Sequence, residues 1–120
     1  MITTIKIENS VKVSEIKKMF NSQFPFLKIE FFKKSHKQLQ GSFKKDIIAD
    51  DFMIKSIQND NVITYSEEMS VFELEKQFAD KLKISAQIFR KSGRSWLETT
   101  FTDSWSLKKQ NQEGMELSQL

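Results

Sequence analysis

His36 is the single histidine of a 120-residue chain that has no cysteine. As a general base near neutral pH it needs a carboxylate to orient its ring, and the nearest acids in sequence are Glu30 and Asp46. It lies among lysines in an expected loop, so an exposed loop histidine is the plainer reading. The absence of cysteine removes disulfides, thiolate chemistry and zinc–cysteine sites. Asp50-Asp51 has no partners at ligand spacing and reads as a helix N-cap. Glu67-Glu68 precedes a helix, whose positive end favours acids. Three glycines provide no loop of the kind that cradles phosphate. No catalytic residues, metal site or cofactor site are predicted, and the chain reads as a non-enzyme.

Aromatic and basic residues are what cluster. There are 11 phenylalanines, and between Phe32 and Lys45 stand Lys33, Lys34, Lys37, Lys44 and Lys45 with no acid among them. A second basic knot is Arg90-Lys91-Ser92-Gly93-Arg94. The net charge of +3 is too small to argue for nucleic acid by itself. Strand alternation supplies the geometry. If Ile29 and Phe31 face the helices, Phe32 faces away with Lys34; if Ala86 and Ile88 face in, Phe89 faces away with Lys91. Phe32 and Phe89 with Lys33, Lys34, Arg90, Lys91 and Arg94 on one open sheet face, joined by Lys37 of the basic loop, would suit single-stranded bases and their phosphates. The same surface would suit an acidic protein partner or self-association. Trp96, on the strand after Phe89, is either a further anchor or a cross-strand neighbour of Phe89. The competing outcome is that segments carrying Phe52 and Trp105 cover this face. Phe32 and Phe89 are then core, the commoner fate of large aromatics. The glycine–aromatic sequence of the RNA-recognition motif is missing.

The elements that would position these residues come in two similar sets. Val13-Ser14-Glu15-Ile16-Lys17-Lys18-Met19-Phe20 lies over Val71-Phe72-Glu73-Leu74-Glu75-Lys76-Gln77-Phe78 at an offset of 58. Phe31-Phe32-Lys33-Lys34-Ser35 lies over Ile88-Phe89-Arg90-Lys91-Ser92 at 57, and Asp50-Asp51-Phe52-Met53-Ile54-Lys55 over Asp103-Ser104-Trp105-Ser106-Leu107-Lys108 at 53. The same order with drifting offsets is what duplication followed by loop-length change leaves. Ile2 to Ile7 and Val62 to Tyr65 alternate as strands. Val13, Ile16, Phe20 and Phe24, and Val71, Leu74, Phe78 and Leu82, recur at helical spacing. Ser70 and Glu73 form a capping box, where the first copy has Lys12; Pro25 ends the first helix. Strands follow at Leu27–Phe32 and Ser85–Phe89. Ser92-Gly93-Arg94 turns the second into a hairpin with Ser95–Thr100, and the first copy returns through Asp46–Ala49. Short helical turns are expected at residues 51–57 and 103–110.

Two tandem β-α-β-β repeats, about 1–58 and 60–110, predict a single α+β domain over 1–110 with two helices packed on one sheet. That is a ferredoxin-like plan if strands on either side of a helix run parallel. Residues 111–120 read as a polar, frayed tail. The stretch from Ile88 through Leu97 and on to Lys108, with Val71-Phe72-Glu73-Leu74, also resembles ubiquitin-like β-grasp domains, which implies that fold as the alternative. The chain has no diglycine end, so no conjugation chemistry comes with the resemblance. Phe24-Pro25-Phe26-Leu27-Lys28-Ile29-Glu30-Phe31-Phe32-Lys33-Lys34 with Phe89-Arg90-Lys91-Ser92-Gly93 resembles a group of small bacterial proteins with no assigned function, and implies no activity. No apolar run approaches the roughly 20 residues of a membrane span, and the N-terminus lacks the features of a signal peptide. The expectation is a cytoplasmic binding or protein-interaction module, with single-stranded nucleic-acid binding as the alternative.

Overall fold

Val13, Ile16 and Phe20 are buried along one side of α1 (Val13–Gln23), as their helical spacing requires. The computed structural model describes residues 2–7, 10–33, 46–55 and 62–119. Lys12 gives α1 no side-chain cap. Backbone carbonyls do the work instead: the N–H of Val13 donates to Phe52 O at 3.0 Å and that of Ser14 to Asp50 O at 2.9 Å. Pro25 follows the C-cap residue Phe24.

The second helix, α2 (Val71–Leu82), buries Val71, Leu74, Phe78 and Leu82. At its start Ser70 Oγ accepts from the Glu73 N–H at 3.1 Å and donates to Glu73 Oε1 at 3.0 Å. The N–H of Val71 donates to Trp105 O at 3.1 Å and that of Phe72 to Asp103 O at 2.8 Å. These are the positions aligned with Val13, Phe52, Ser14 and Asp50. The helix stops at Lys83, whose φ of 54° is left-handed.

The strands pair antiparallel in every described ladder. β1 (Ile2–Lys6) pairs with β5 (Val62–Ser66), and β2 (Ser10–Lys12) with β4 (Met53–Lys55). β3 (Leu27–Phe32), β6 (Ser85–Ser92) and β7 (Ser95–Glu98) form a sheet in the order β3-β6-β7. The parallel crossover and the single sheet expected from the sequence are not found among the described residues. β1 pairs with β5 and β3 with β6 instead, both antiparallel. Antiparallel registry sets Ile29 opposite Ile88 and Phe31 opposite Ala86, so both strands turn their apolar side to the same face. There they meet the helices, with Phe31 and Phe78 edge to face at 5.1 Å. Between β6 and β7 Gly93 takes a φ of 61°, and Ser92 and Ser95 close the two-residue turn.

Two local expectations are corrected. Residues 53–55 are a strand rather than a helical turn, because β2 offers them a partner. Residues 107–118 are one helix, α3 (Leu107–Ser118), rather than a short turn and a frayed tail. Ser106 caps it, accepting from the Lys109 N–H at 3.1 Å. Its buried residues are Leu107, Gln110 and Gly114. Gln110 donates to Thr102 O at 2.7 Å and accepts from Arg90 Nη1 at 3.0 Å, while Asn111 Oδ1 accepts from the Phe26 N–H at 2.9 Å. Polar anchors thus replace the apolar stripe that would have marked this helix in the sequence. The product is an α+β domain with three α-helices and antiparallel ladders among the described residues.

Candidate functional site

The face of the β3-β6-β7 sheet turned away from Ile29, Phe31 and Ile88 carries Lys28, Glu30, Phe89, Lys91, Trp96 and Glu98, as the two-residue period dictates. Lys28 stands opposite Phe89, Phe89 opposite Glu98, and Lys91 opposite Trp96. The Lys28 ammonium lies 5.2 Å from the ring centroids of both Phe89 and Trp96, and that of Lys91 5.7 Å from Trp96. A recess of about 490 Å³ opens here, with Glu30 and Glu98 in its lining.

The residues singled out in the sequence are only partly brought together. Phe89, Lys91 and Trp96 meet, each half-buried. Phe32 borders the recess but is 1% exposed. It is bridged to Ile47, which lies beside the end of β3. Arg90 is on the opposite face, against α3, with its guanidinium 5.6 Å from the Trp105 ring. Alternation along β6 separates it from Phe89 and Lys91, a signal already present in the sequence. Arg94 is exposed in the hairpin turn and Lys33 is exposed beyond β3. Lys34, Lys37 and His36 lie outside the described residues. Lys28, Glu30 and Glu98 were missed; counting back by two from Phe32 reaches the first two.

A second concavity, of about 950 Å³, runs between the 47–55 segment and the end of α2. Its walls are apolar, including Phe32, Ile48, Ile54, Leu82 and Ile84, and its rim holds Lys33, Lys55, Lys83 and Asp51. Ile47, Phe52 and Met53 line it and are 37%, 49% and 38% exposed. Three large apolar side chains kept in solvent within seven residues of sequence are unusual for a surface that nothing covers.

Two ionic arrangements flank these surfaces. Lys17 donates to Glu30 Oε1 at 2.9 Å and Asp50 Oδ1 at 2.7 Å. Burial opposes its charge, yet these carboxylates hold its pKa above the ordinary lysine value. At the aligned position in α2 stands Glu75, 7% exposed, whose Oε2 accepts from the Ile88 N–H at 3.0 Å. Burial, reinforced by Asp103 and Glu98, pushes its pKa up to about 8 against the pull of that hydrogen bond. Among the described residues no three His, Asp or Glu side chains gather as a metal site, and no helix is long and apolar enough to cross a membrane. Comparison of the chain with protein-family models, curated proteins and solved structures gives no match.

Proposed function

We propose that this chain is a non-enzymatic protein-interaction module whose partner seats in the groove between the 47–55 segment and the end of α2. The observation that carries this reading is the joint exposure of Ile47, Phe52 and Met53 on the wall of the 950 Å³ concavity. Apolar and methionine-bearing walls with a charged rim are the usual make-up of an interface core and its border. A cytoplasmic location fits a chain without cysteine. Anilinonaphthalene sulfonate is expected to bind the folded protein with blue-shifted fluorescence, and Phe52→Glu, at an exposed position, to abolish most of that signal. Undiminished dye fluorescence in Phe52→Glu would exclude the groove as an accessible apolar surface.

A second reading rests on the outer sheet face, where lysines lie over Phe89 and Trp96. This pairing of ring faces and cations is suited to single-stranded nucleic acid. The burial of Phe32 and the carboxylates of Glu30 and Glu98 in the recess weigh against it. Fluorescence anisotropy with labelled oligouridylate decides. The reading expects affinity that falls steeply with salt and a loss of about 1–3 kcal/mol in Trp96→Ala. A Trp96→Ala protein that binds as well as the parent would rule it out.

A further inference from the structure

The seat that α3 occupies is built from Phe26, Arg90, Thr102 and Trp105. Gly114 packs on Phe26 and Arg90, Gln110 bonds Arg90 and Thr102, and Arg90 lies over Trp105. Carried across the alignment of the two halves, those positions become Lys83, Lys33, Ala49 and Phe52. All four line the groove. The correspondence extends to the frame around each seat. Lys12 is paired with Met53 in one half and Ser70 with Ser106 in the other. Ile54 and Leu107 are both buried, at 3% and 0% exposure.

Leu107 opens α3, which has 12 residues. Its counterpart Ile54 is followed by only seven residues before β5 begins at Val62. The first half therefore has no length of chain for a matching helix. We infer that the two halves are copies of one unit, that the groove is the first copy's helix seat, and that it receives an acidic amphipathic helix from a partner protein. This rests on the groove reading above. The helical shape follows from what fills the matching seat. The acidic character follows from the rim, where Lys33, Lys55 and Lys83 face a single carboxylate, Asp51. In the occupied seat Gln110 faces Arg90; opposite Lys33 the matching side chain of a partner would be Glu or Asp.

The test uses the full chain and two labelled 14-residue peptides. Both carry leucine at helical i, i+3, i+7 and i+10 spacing; the remaining positions are mainly glutamate in one and lysine in the other. The glutamate peptide is expected to bind, with the lysine peptide at least about tenfold weaker. Lys33→Glu/Lys55→Glu, at two exposed positions, is expected to reverse that preference, and amide shifts on binding should map to residues 47–55 and 82–84. Equal binding of both peptides, no binding of either, or shifts on the outer sheet face would overturn the proposal. So would oligouridylate binding abolished by the same double substitution, which would assign the rim lysines to phosphate. Dye binding lost in Phe52→Glu alongside peptide failure would spare the groove and reject only its helical occupant.

Discussion

Glu75→Gln is expected to raise the thermal midpoint at pH 9 by roughly 10 °C while changing it little at pH 5. The carboxyl keeps its proton in the folded chain up to about pH 8, whereas in the unfolded chain it ionises near the ordinary glutamate value. Below that ordinary value both states are protonated and the group is neutral to stability. As pH rises through the window between the two, the unfolded chain releases a proton that the folded chain retains. Stability then drains away, and above about pH 8 the loss is complete. The sum is on the order of 3 kcal/mol after allowance for relaxation around a buried charge. Glutamine keeps an acceptor for the Ile88 N–H and has no proton to lose. Alanine likewise has no proton to lose but removes the acceptor, so it should be less stable than Glu75→Gln at every pH, by about 1–3 kcal/mol. Midpoints of parent and Glu75→Gln measured from pH 5 to 9 should diverge; parallel curves would mean that the carboxyl is solvated or otherwise paired.

Gly114→Val is expected to unseat α3. A Cβ at this position would stand 3.0 Å from both Phe26 Cβ and Phe26 O and 3.1 Å from Arg90 Cγ. Two further methyl groups have nowhere to go without lifting the helix. Lifting it also breaks the hydrogen bonds of Gln110 to Arg90 and Thr102 and that of the Phe26 N–H to Asn111. Overpacking with lost polar contacts gives about 3 kcal/mol. Gly114→Ala is the discriminating control: its gain in helix propensity of about 1 kcal/mol offsets the tight contact, and it should be near neutral. Urea denaturation reports the stabilities, and limited proteolysis after residue 106 reports the helix. A Gly114→Val protein as stable as the parent would mean that α3 does not pack on Phe26.

How much of this was legible in the sequence depended on whether local rules sufficed. α1 and α2 were legible because Val13, Ile16 and Phe20, and Val71, Leu74 and Phe78, repeat at the helical period, and Ser70 and Pro25 mark ends. The β6-β7 hairpin was legible because Gly93 supplies the positive φ its turn requires. α3 was not, since what it buries is Leu107, a glutamine and a glycine. Such a helix is specified by its seat, through Arg90, Thr102 and Phe26, and not by its own pattern. Strand partners were equally hidden. Period two sets a strand's two faces but says nothing of which strand lies beside it. The outer-face site was half legible for the same reason: Phe89, Lys91 and Trp96 follow from alternation, while Phe32 is buried where it is bridged to Ile47, a residue distant in the chain. The groove was invisible, because it is framed by the 47–55 segment and the end of α2, which are distant in the chain.

The ladders that join distant segments have a consequence for how the chain is made. Ile2 pairs with Ser66 and Leu27 with Arg90, so both long ladders wait on segments about sixty residues downstream. At roughly 5–20 residues per second, the ribosome exposes β1 and β3 for seconds before β5 and β6 exist. During that time Leu27, Ile29, Phe31 and Phe32 form an unpaired apolar strand, the kind of edge that joins nascent neighbours. Lys28 and Glu30 interrupt the run, and Lys33 follows it directly. Charges placed in this way guard a strand during its exposed interval. The charge pattern of β3 thus serves the chain's synthesis as well as its finished surface.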